Sequence, residues 1–346
     1  MKHLLVVCCM LMVLSSAQAK QQRATVQEPS FAQSPDAAAF IGEMVQRHQF
    51  NQDELTRLFR DVHLKQSILN AMDRPAEAKP WSVYRPLFVE PKRIAGGVRF
   101  WAAHADTLAR AEAQYGVPAS MIVAIIGVET FYGRNTGSYR VIDALATLAF
   151  AYPKRAPYFR GELEQFLLLS RETGFDPLTI KGSYAGAMGI SQFMPSSYRQ
   201  YGVDFDGDGL RDLWDNADDA IGSVAQYFQG YGWKRGAPVV APVQHVEEHA
   251  QGLANRGWSF RIPIKDWAGV GVGTDAQKTD ADAMLLELAG VDGPEYWLGY
   301  ENFYVITRYN HSFHYAMAAW QLSQALEAAR AAALTGQANT TAHVKQ

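Results

Sequence analysis

The chain has 346 residues, 48% of them hydrophobic and 19% charged, enough for one large core or two to three smaller ones and inconsistent with a disordered chain. A formal net charge of -3 leaves no basic excess to track a phosphate backbone, so nucleic acid is excluded as an expected partner. No stretch after the first residues reaches about 18 unbroken apolar positions, which argues against a permanent membrane span.

The start of the chain carries an address. Lys2 and His3 precede the apolar run Leu4 to Leu14, and Ser15-Ser16-Ala17-Gln18-Ala19 has the small-x-small pattern of a signal peptidase site. A signal peptide over 1–19 is expected, with a soluble periplasmic mature chain starting at Lys20. Both cysteines, Cys8 and Cys9, fall in this segment, so the mature chain has no thiol and depends on core packing. Lipid anchoring through Cys8 is the alternative, which Val6 and Val7 disfavour.

Residues 20–36 are polar and read as a flexible lead-in, with folded structure starting near Ala37. Phe40, Ile41, Met44 and Val45 recur at helical spacing, and 54–69 offers a second amphipathic helix. The stretch Pro80 to Pro86 breaks the pattern around Tyr84. A long helix over 94–115 then closes a helical domain, 37–115, before Gly116 ends it and Pro118 opens the next helix at 121–131. Further helices at 143–150, 158–173 and 217–231 complete a core over 116–235. Between 236 and 295 the character changes to a small β-containing insertion, with Val239, Val240, Val243 and the run Trp258 to Ile264 alternating as strands do. From 296 the chain returns to the core. Phe303 to Asn310 reads as a short extended piece, feeding an Ala-rich helix over 312–332 and a tail at 334–346. The fold class is mainly α (α+β).

Two segments carry chemistry. In Ala124-Ile125-Ile126-Gly127-Val128-Glu129-Thr130-Phe131, a carboxylate follows an apolar helix face, where desolvation would favour its protonated form, as a general acid requires. A glutamate on a solvated helix edge, or one paired with Arg134, fits the same fragment. In Lys181-Gly182-Ser183-Tyr184-Ala185-Gly186-Ala187-Met188-Gly189-Ile190-Ser191-Gln192-Phe193-Met194-Pro195, small residues permit close backbone approach to a ligand. Ser183, Gln192 and Phe193 there supply a hydroxyl, an amide and a stacking face. A tight loop serving helix packing accounts for the same glycines.

These segments, in this order, make the chain resemble the lytic murein transglycosylase B family over about 81–329. The resemblance implies a lysozyme-like catalytic core and identifies Glu129, in Gly-Val-Glu-Thr, as the catalytic glutamate. It also implies that Ser183, Gln192 and Phe193 line sugar subsites together with Tyr84, Lys154, Arg155, Tyr158, Tyr227, Tyr309, Asn310 and Tyr315. Tyrosines present flat faces to pyranose rings, and Lys154-Arg155 can meet carboxylates, although a tyrosine taken singly is more often core. Lys154 stands where arginine is commoner in the family, which weakens bidentate recognition there.

A third constellation runs from Asp204 to Asp215. Asp204, Asp206 and Asp208 occupy loop positions one, three and five of an EF-hand-like pattern, a glycine follows at six, and Leu210 offers its carbonyl at seven. Position twelve is Asp215, shorter than the usual glutamate, and Asp218 or Asp219 could close a longer loop over 204–219, as in the family's EF-hand-like site. A structural Ca²⁺ is expected; an Asx-rich turn without metal is the bland alternative.

By the resemblance, Glu129 alone protonates the bond between N-acetylmuramic acid and N-acetylglucosamine. The N-acetyl group serves as internal nucleophile, a 1,6-anhydro end forms, and no cofactor takes part. Peptidoglycan glycan strands are the implied partner, with cell-wall synthesis proteins left open. The rivals are a muramidase of the same fold that lets water attack, Asp143 being the nearest downstream acid, and a noncatalytic peptidoglycan-binding protein.

Overall fold

The computed structural model describes residues 29–73, 79–277 and 279–344. The expected signal peptide with Cys8 and Cys9 lies outside them. Order begins before Ala37: Ser30 caps a short 3-10 turn at Phe31–Gln33, and the buried Phe31 ring meets Phe150 edge-on at 5.3 Å. Residues 30–36 of the expected flexible lead-in are therefore folded, and 20–28 lie outside the described residues. Ser34 then accepts the Ala37 N–H to open α1 (Pro35–His48), which leads to α2 (Gln52–Arg60) and α3 (Gln66–Met72). The expected single helix over 54–69 is thus two, because the backbone between them bonds sideways. His63 N–H donates to the Asp143 carboxylate and Lys65 N–H to the Thr147 hydroxyl.

The chain continues through α4 (Trp81–Tyr84), α5 (Pro91–Ala103), α6 (Ala105–Tyr115) and α7 (Ala119–Thr130). The predicted helix over 94–115 breaks at His104, and the supposed irregular stretch at 80–86 contains a helical turn. α7 is apolar on all sides and buried almost throughout, as a helix without a polar face must be. β1 (Tyr139–Arg140), α8 (Val141–Ala151), α9 (Ala156–Thr173), β2 (Lys181–Gly182), α10 (Pro195–Tyr201) and α11 (Ala217–Gly230) follow. Next come β3 (Val240–Pro242), β4 (His245–Val246), β5 (Ile262–Pro263), β6 (Val272–Gly273), β7 (Asp282–Ala289), β8 (Pro294–Gly299), α12 (Glu301–Tyr309) and α13 (Phe313–Val344).

The helices bury two clusters. In one, Ile122 and Ile126 of α7 pack with Trp101, Leu108, Val224 and Leu322 from α5, α6, α11 and α13. In the other, Phe40, Phe59 and Ile68 of α1 to α3 pack on Leu145 of α8 and Phe166 of α9. The helical unit expected at 37–115 is accordingly divided, since its first three helices cover α8 and α9 while α5 and α6 cover α7. Tyr309 packs against both clusters.

The insertion has its own core around Trp267, Leu285 and Leu298, reaching Tyr300 rather than stopping at 295. Its main sheet is antiparallel in the order β3-β8-β7-β5, with Leu285 opposite Leu298. The long strands β7 and β8 escape a search for alternation: Ala283 to Leu286 are all buried, so β7 reads as a continuous apolar run. The alternating run from Trp258 supplies only Ile262–Pro263. The segment read as extended, 303–310, is the helix α12, because Phe303, Val305 and Ile306 are buried together and packing overrides β propensity.

Candidate active site

Glu129 sits in the last turn of α7, where the chain leaves the helix through two left-handed residues, Phe131 (φ 52) and Tyr132 (φ 63). Non-glycine residues hold that conformation only when their surroundings fix it. Here the Phe131 and Tyr132 amides close onto the Gly127 and Ile126 carbonyls. The buried Thr130 hydroxyl donates to Ile190 O at 2.9 Å and accepts the Gly133 N–H. The end of α7 is thereby tied to the small-residue loop after β2.

Half-buried, Glu129 opens on a groove of about 600 Å³. From α13, the Tyr315 hydroxyl donates to Glu129 Oε1 at 2.6 Å, and the Tyr309 ring lies parallel to Tyr315 with centroids 6.4 Å apart. Burial first, then the Glu129 carboxylate, hold both phenols well above their usual range, so they remain neutral donors. Tyr309 donates to Ser191 O and Tyr227 to Arg308 O, both at 2.6 Å.

The loop after β2 forms the opposite lip. Gly137 (φ +99) has no room for a Cβ, which would lie 2.0 Å from Gly182 O. That close approach lets Tyr139 pair with Gly182. The Ser183 oxygen accepts the Ala185 and Ala187 amides, leaving its hydroxyl hydrogen for the groove. Gln192 Nε2 donates to Thr136 O and Gly189 O, which leaves Oε1 as an acceptor.

α9 supplies the remaining wall. The Arg155 guanidinium lies 4.7 Å from the Tyr158 ring centroid. Behind Tyr158, the Glu162 carboxylate is 5% exposed and accepts the Ser196 N–H at 2.9 Å and hydroxyl at 2.7 Å. Burial raises the Glu162 carboxyl above the usual carboxylate range, and burial together with Glu162 pushes the Tyr158 phenol up to about 12.

Of the residues expected at the site, the groove brings together Glu129, Arg155, Tyr158, Ser183, Gln192, Tyr227, Tyr309 and Asn310. Four others lie elsewhere. Tyr315 stands behind the groove as the donor to Glu129, and Phe193 is buried against Tyr227 and Tyr309, so it supports their rings instead of offering its own face. Tyr84 is buried beside Trp81 and His314. Lys154 precedes α9 and is 75% exposed, 3.8 Å from Asp73. Glu162, Tyr231, Arg308 and His311 line the groove without having been expected. Two of them were legible, because Tyr158/Glu162 and Tyr227/Tyr231 are i,i+4 pairs that share a helix face. Asp143 is 1% exposed, held by Arg140 at 2.8 Å, and faces the N-terminal helices.

In the acidic loop, carboxylate oxygens of Asp204, Asp206 and Asp219 come within 4.8 Å of one another. Asp219, the last of the three, is buried and accepts the Phe205 and Asp212 amides, and burial raises its carboxyl above the usual range. The other two closing candidates are turned away: Asp218 meets His104 at 3.2 Å, and exposed Asp215 carries no contact to the trio. Asp208 is occupied by the Leu210 amide, and the Leu210 side chain is exposed. One buried carboxylate, one half-buried and one exposed form a cluster of hard oxygen donors that suits a hard cation.

No single helix among the described residues is long and apolar enough to cross a membrane. The family model described as "Transglycosylase SLT domain" matches residues 32–324. Membrane-bound lytic murein transglycosylase B of Escherichia coli (strain K12) is 48% identical over 312 residues, 87% of this chain and 85% of that protein. The structure of catenated lytic transglycosylase SltB1 from Pseudomonas aeruginosa superposes with a TM-score of 0.81 at 53% identity, over 87% of this chain and 99% of that one. The E. coli lytic transglycosylase Slt35 in complex with calcium gives 0.80 at 47% identity, over 89% and 98%. At 32% identity, SltB3 from P. aeruginosa has been solved with NAG-NAM-pentapeptide, with a TM-score of 0.74 over 84% of this chain and 78% of that one. The match spans both helical clusters, the groove and the insertion, and the chain belongs to the SLT-domain lytic transglycosylases.

Proposed function

We propose that Glu129 is the single acid/base with which this enzyme, a peptidoglycan lytic transglycosylase, cleaves the β-1,4 bond from N-acetylmuramic acid to N-acetylglucosamine. One observation carries the reading. Glu129 stands at the groove with its orientation fixed by Tyr315, while the other carboxylate that lines the groove, Glu162, has both oxygens engaged by Ser196. A two-carboxylate glycosidase needs a second free acid across the scissile bond. With Glu162 engaged and Asp143 facing away, no second acid competes, and the nucleophile at C1 is taken, as the resemblance to the lytic murein transglycosylase B family implies, to be the substrate's own N-acetyl oxygen. Protonated Glu129 gives its proton to the leaving glycosidic oxygen. The resulting carboxylate then takes the proton of the muramoyl C6 hydroxyl, whose oxygen attacks C1, frees the N-acetyl group and leaves a 1,6-anhydro end.

Tyr158 and Tyr309 offer rings to the sugars with the buried Tyr227 packed against Tyr309, Arg155 offers a cation to lactyl or peptide carboxylates, and Ser183 and Gln192 a donor and an acceptor. Asp204, Asp206 and Asp219 would hold a structural Ca²⁺ that neutralises their mutual repulsion and braces the start of α11; the calcium complex of Slt35 supports this. The residues over 1–19 support a periplasmic location. Mass spectrometry of products from purified peptidoglycan tests the reading: products one water lighter than muramidase products are expected, and reducing ends would overturn it. Glu129→Gln should bind glycan and release nothing.

A further inference from the structure

A second pocket, of about 370 Å³, lies at the seam between the catalytic core and the β insertion. Lys234 and Glu301 line it from the core side; Trp258, Arg261, Asp282 and Tyr300 line it from the insertion. Three observations point to a ligand. First, Tyr300 lines the pocket and is 8% exposed, and no hydrogen bond among the described residues occupies its hydroxyl, which keeps contact with solvent. Second, opposite charges share the rim: Lys234 pairs with Glu301 at 2.5 Å and Arg261 with Asp282 at 3.0 Å. Such exposed pairs are weakly held and can exchange for a ligand that brings both signs of charge.

Third, a line of rings and guanidinium groups joins this pocket to the groove. Arg308 lines the groove and lies 5.8 Å from the Tyr231 ring and 5.6 Å from that of Tyr304. Tyr304 stacks on Trp258 at 5.2 Å with an interplanar angle of 12°, and Arg261 lies 5.2 Å from the Trp258 ring. The same helix, α12, therefore carries pocket residues in its first turn and groove residues in its last, about 10 Å apart along its axis.

We propose that this pocket binds the peptide stem that branches from a glycan strand held in the groove, recognised as a short chain bearing both ammonium and carboxylate groups. The proposal rests on the peptidoglycan reading above. A stem of three to five residues spans roughly 10–18 Å when extended, enough to cover the distance along α12. A second stretch of glycan fits less well, because it brings at most lactyl carboxylates and no ammonium group to exchange with the rim. Stacking of Tyr304 and Arg261 on Trp258 also leaves little bare indole face for a pyranose ring.

The test is titration of the full mature chain with the free tetrapeptide stem released from peptidoglycan by an amidase, followed at the Trp258 indole N–H by NMR. A saturable shift is expected there, with affinity weakened by about fivefold or more in Arg261→Glu and in Tyr300→Phe, the loss of one polar contact. Binding of a chitin tetrasaccharide to the same variants should stay unchanged. A wild-type chain without a saturable Trp258 shift, or variants with unaltered peptide affinity, overturns the proposal. Because the readout is peptide binding, it is separate from failure of the catalytic reading, which would appear as wild-type products without anhydro ends.

Discussion

The Tyr315 hydroxyl donates to Glu129 Oε1 at 2.6 Å across the junction of α13 and α7, joining two residues that lie 186 positions apart in the chain. A hydrogen bond to a charged group contributes about 1.5–3 kcal/mol, so Tyr315→Phe should lower kcat roughly 10- to 100-fold while KM changes little. The pH profile of kcat should move as well, because the acid loses its donor. An unaltered pH profile with a lower folded fraction would assign Tyr315 a packing role only.

Glu162 predicts a pH effect on stability. Its folded carboxyl lies above the ordinary value of 4.5, with burial as the main cause, so the fold favours the protonated form. That contribution is complete below about pH 4.5 and is lost as pH rises through the folded value, where the ion must form in the interior. Glu162→Gln removes the titration. Thermal melts from pH 4 to 8 should therefore show the variant gaining on the parent as pH rises, and a constant difference would contradict the assignment.

Ca²⁺ should raise the melting temperature through Asp204, Asp206 and Asp219. A ligand at 100 times its Kd stabilises by about 2.7 kcal/mol. Asp219→Asn should abolish most of that gain while Asp215→Asn leaves it intact, since only Asp219 lies with the other two. Equal loss in both variants, measured by calorimetry with and without a chelator, would argue for a cation held elsewhere.

Gly137→Ala places a Cβ 2.0 Å from the Gly182 carbonyl oxygen at a φ of +99. The cost of such a backbone is about 1–3 kcal/mol, and the added clash must be relieved by parting β1 from β2. Denaturant melts should show the destabilisation, and glycan affinity should fall because Ser183 follows β2 directly. Wild-type affinity in this variant would mean that the Ser183 loop is positioned by other contacts.

The sequence by itself determined the helical class, the apolar α7 with its terminal glutamate, the glycine-rich loop and the acidic loop. Each is written in local spacing: period in the helices, small residues where backbone approaches backbone, carboxylates at alternate positions. It misread Phe303 to Asn310 as extended and did not find β7, because burial on every side erases the alternation on which a strand assignment depends. Only the tertiary structure decided which residues share the groove. Lys154 and Arg155 are neighbours in the chain just before α9, yet Lys154 is 75% exposed while Arg155 lies over the Tyr158 ring. Likewise Asp218 and Asp219 are equivalent in a linear pattern, and helical rotation sends one to His104 and the other into the acidic cluster. Neighbours in sequence diverge by about 100° around a helix, so the face toward the site is fixed by what the helix packs against.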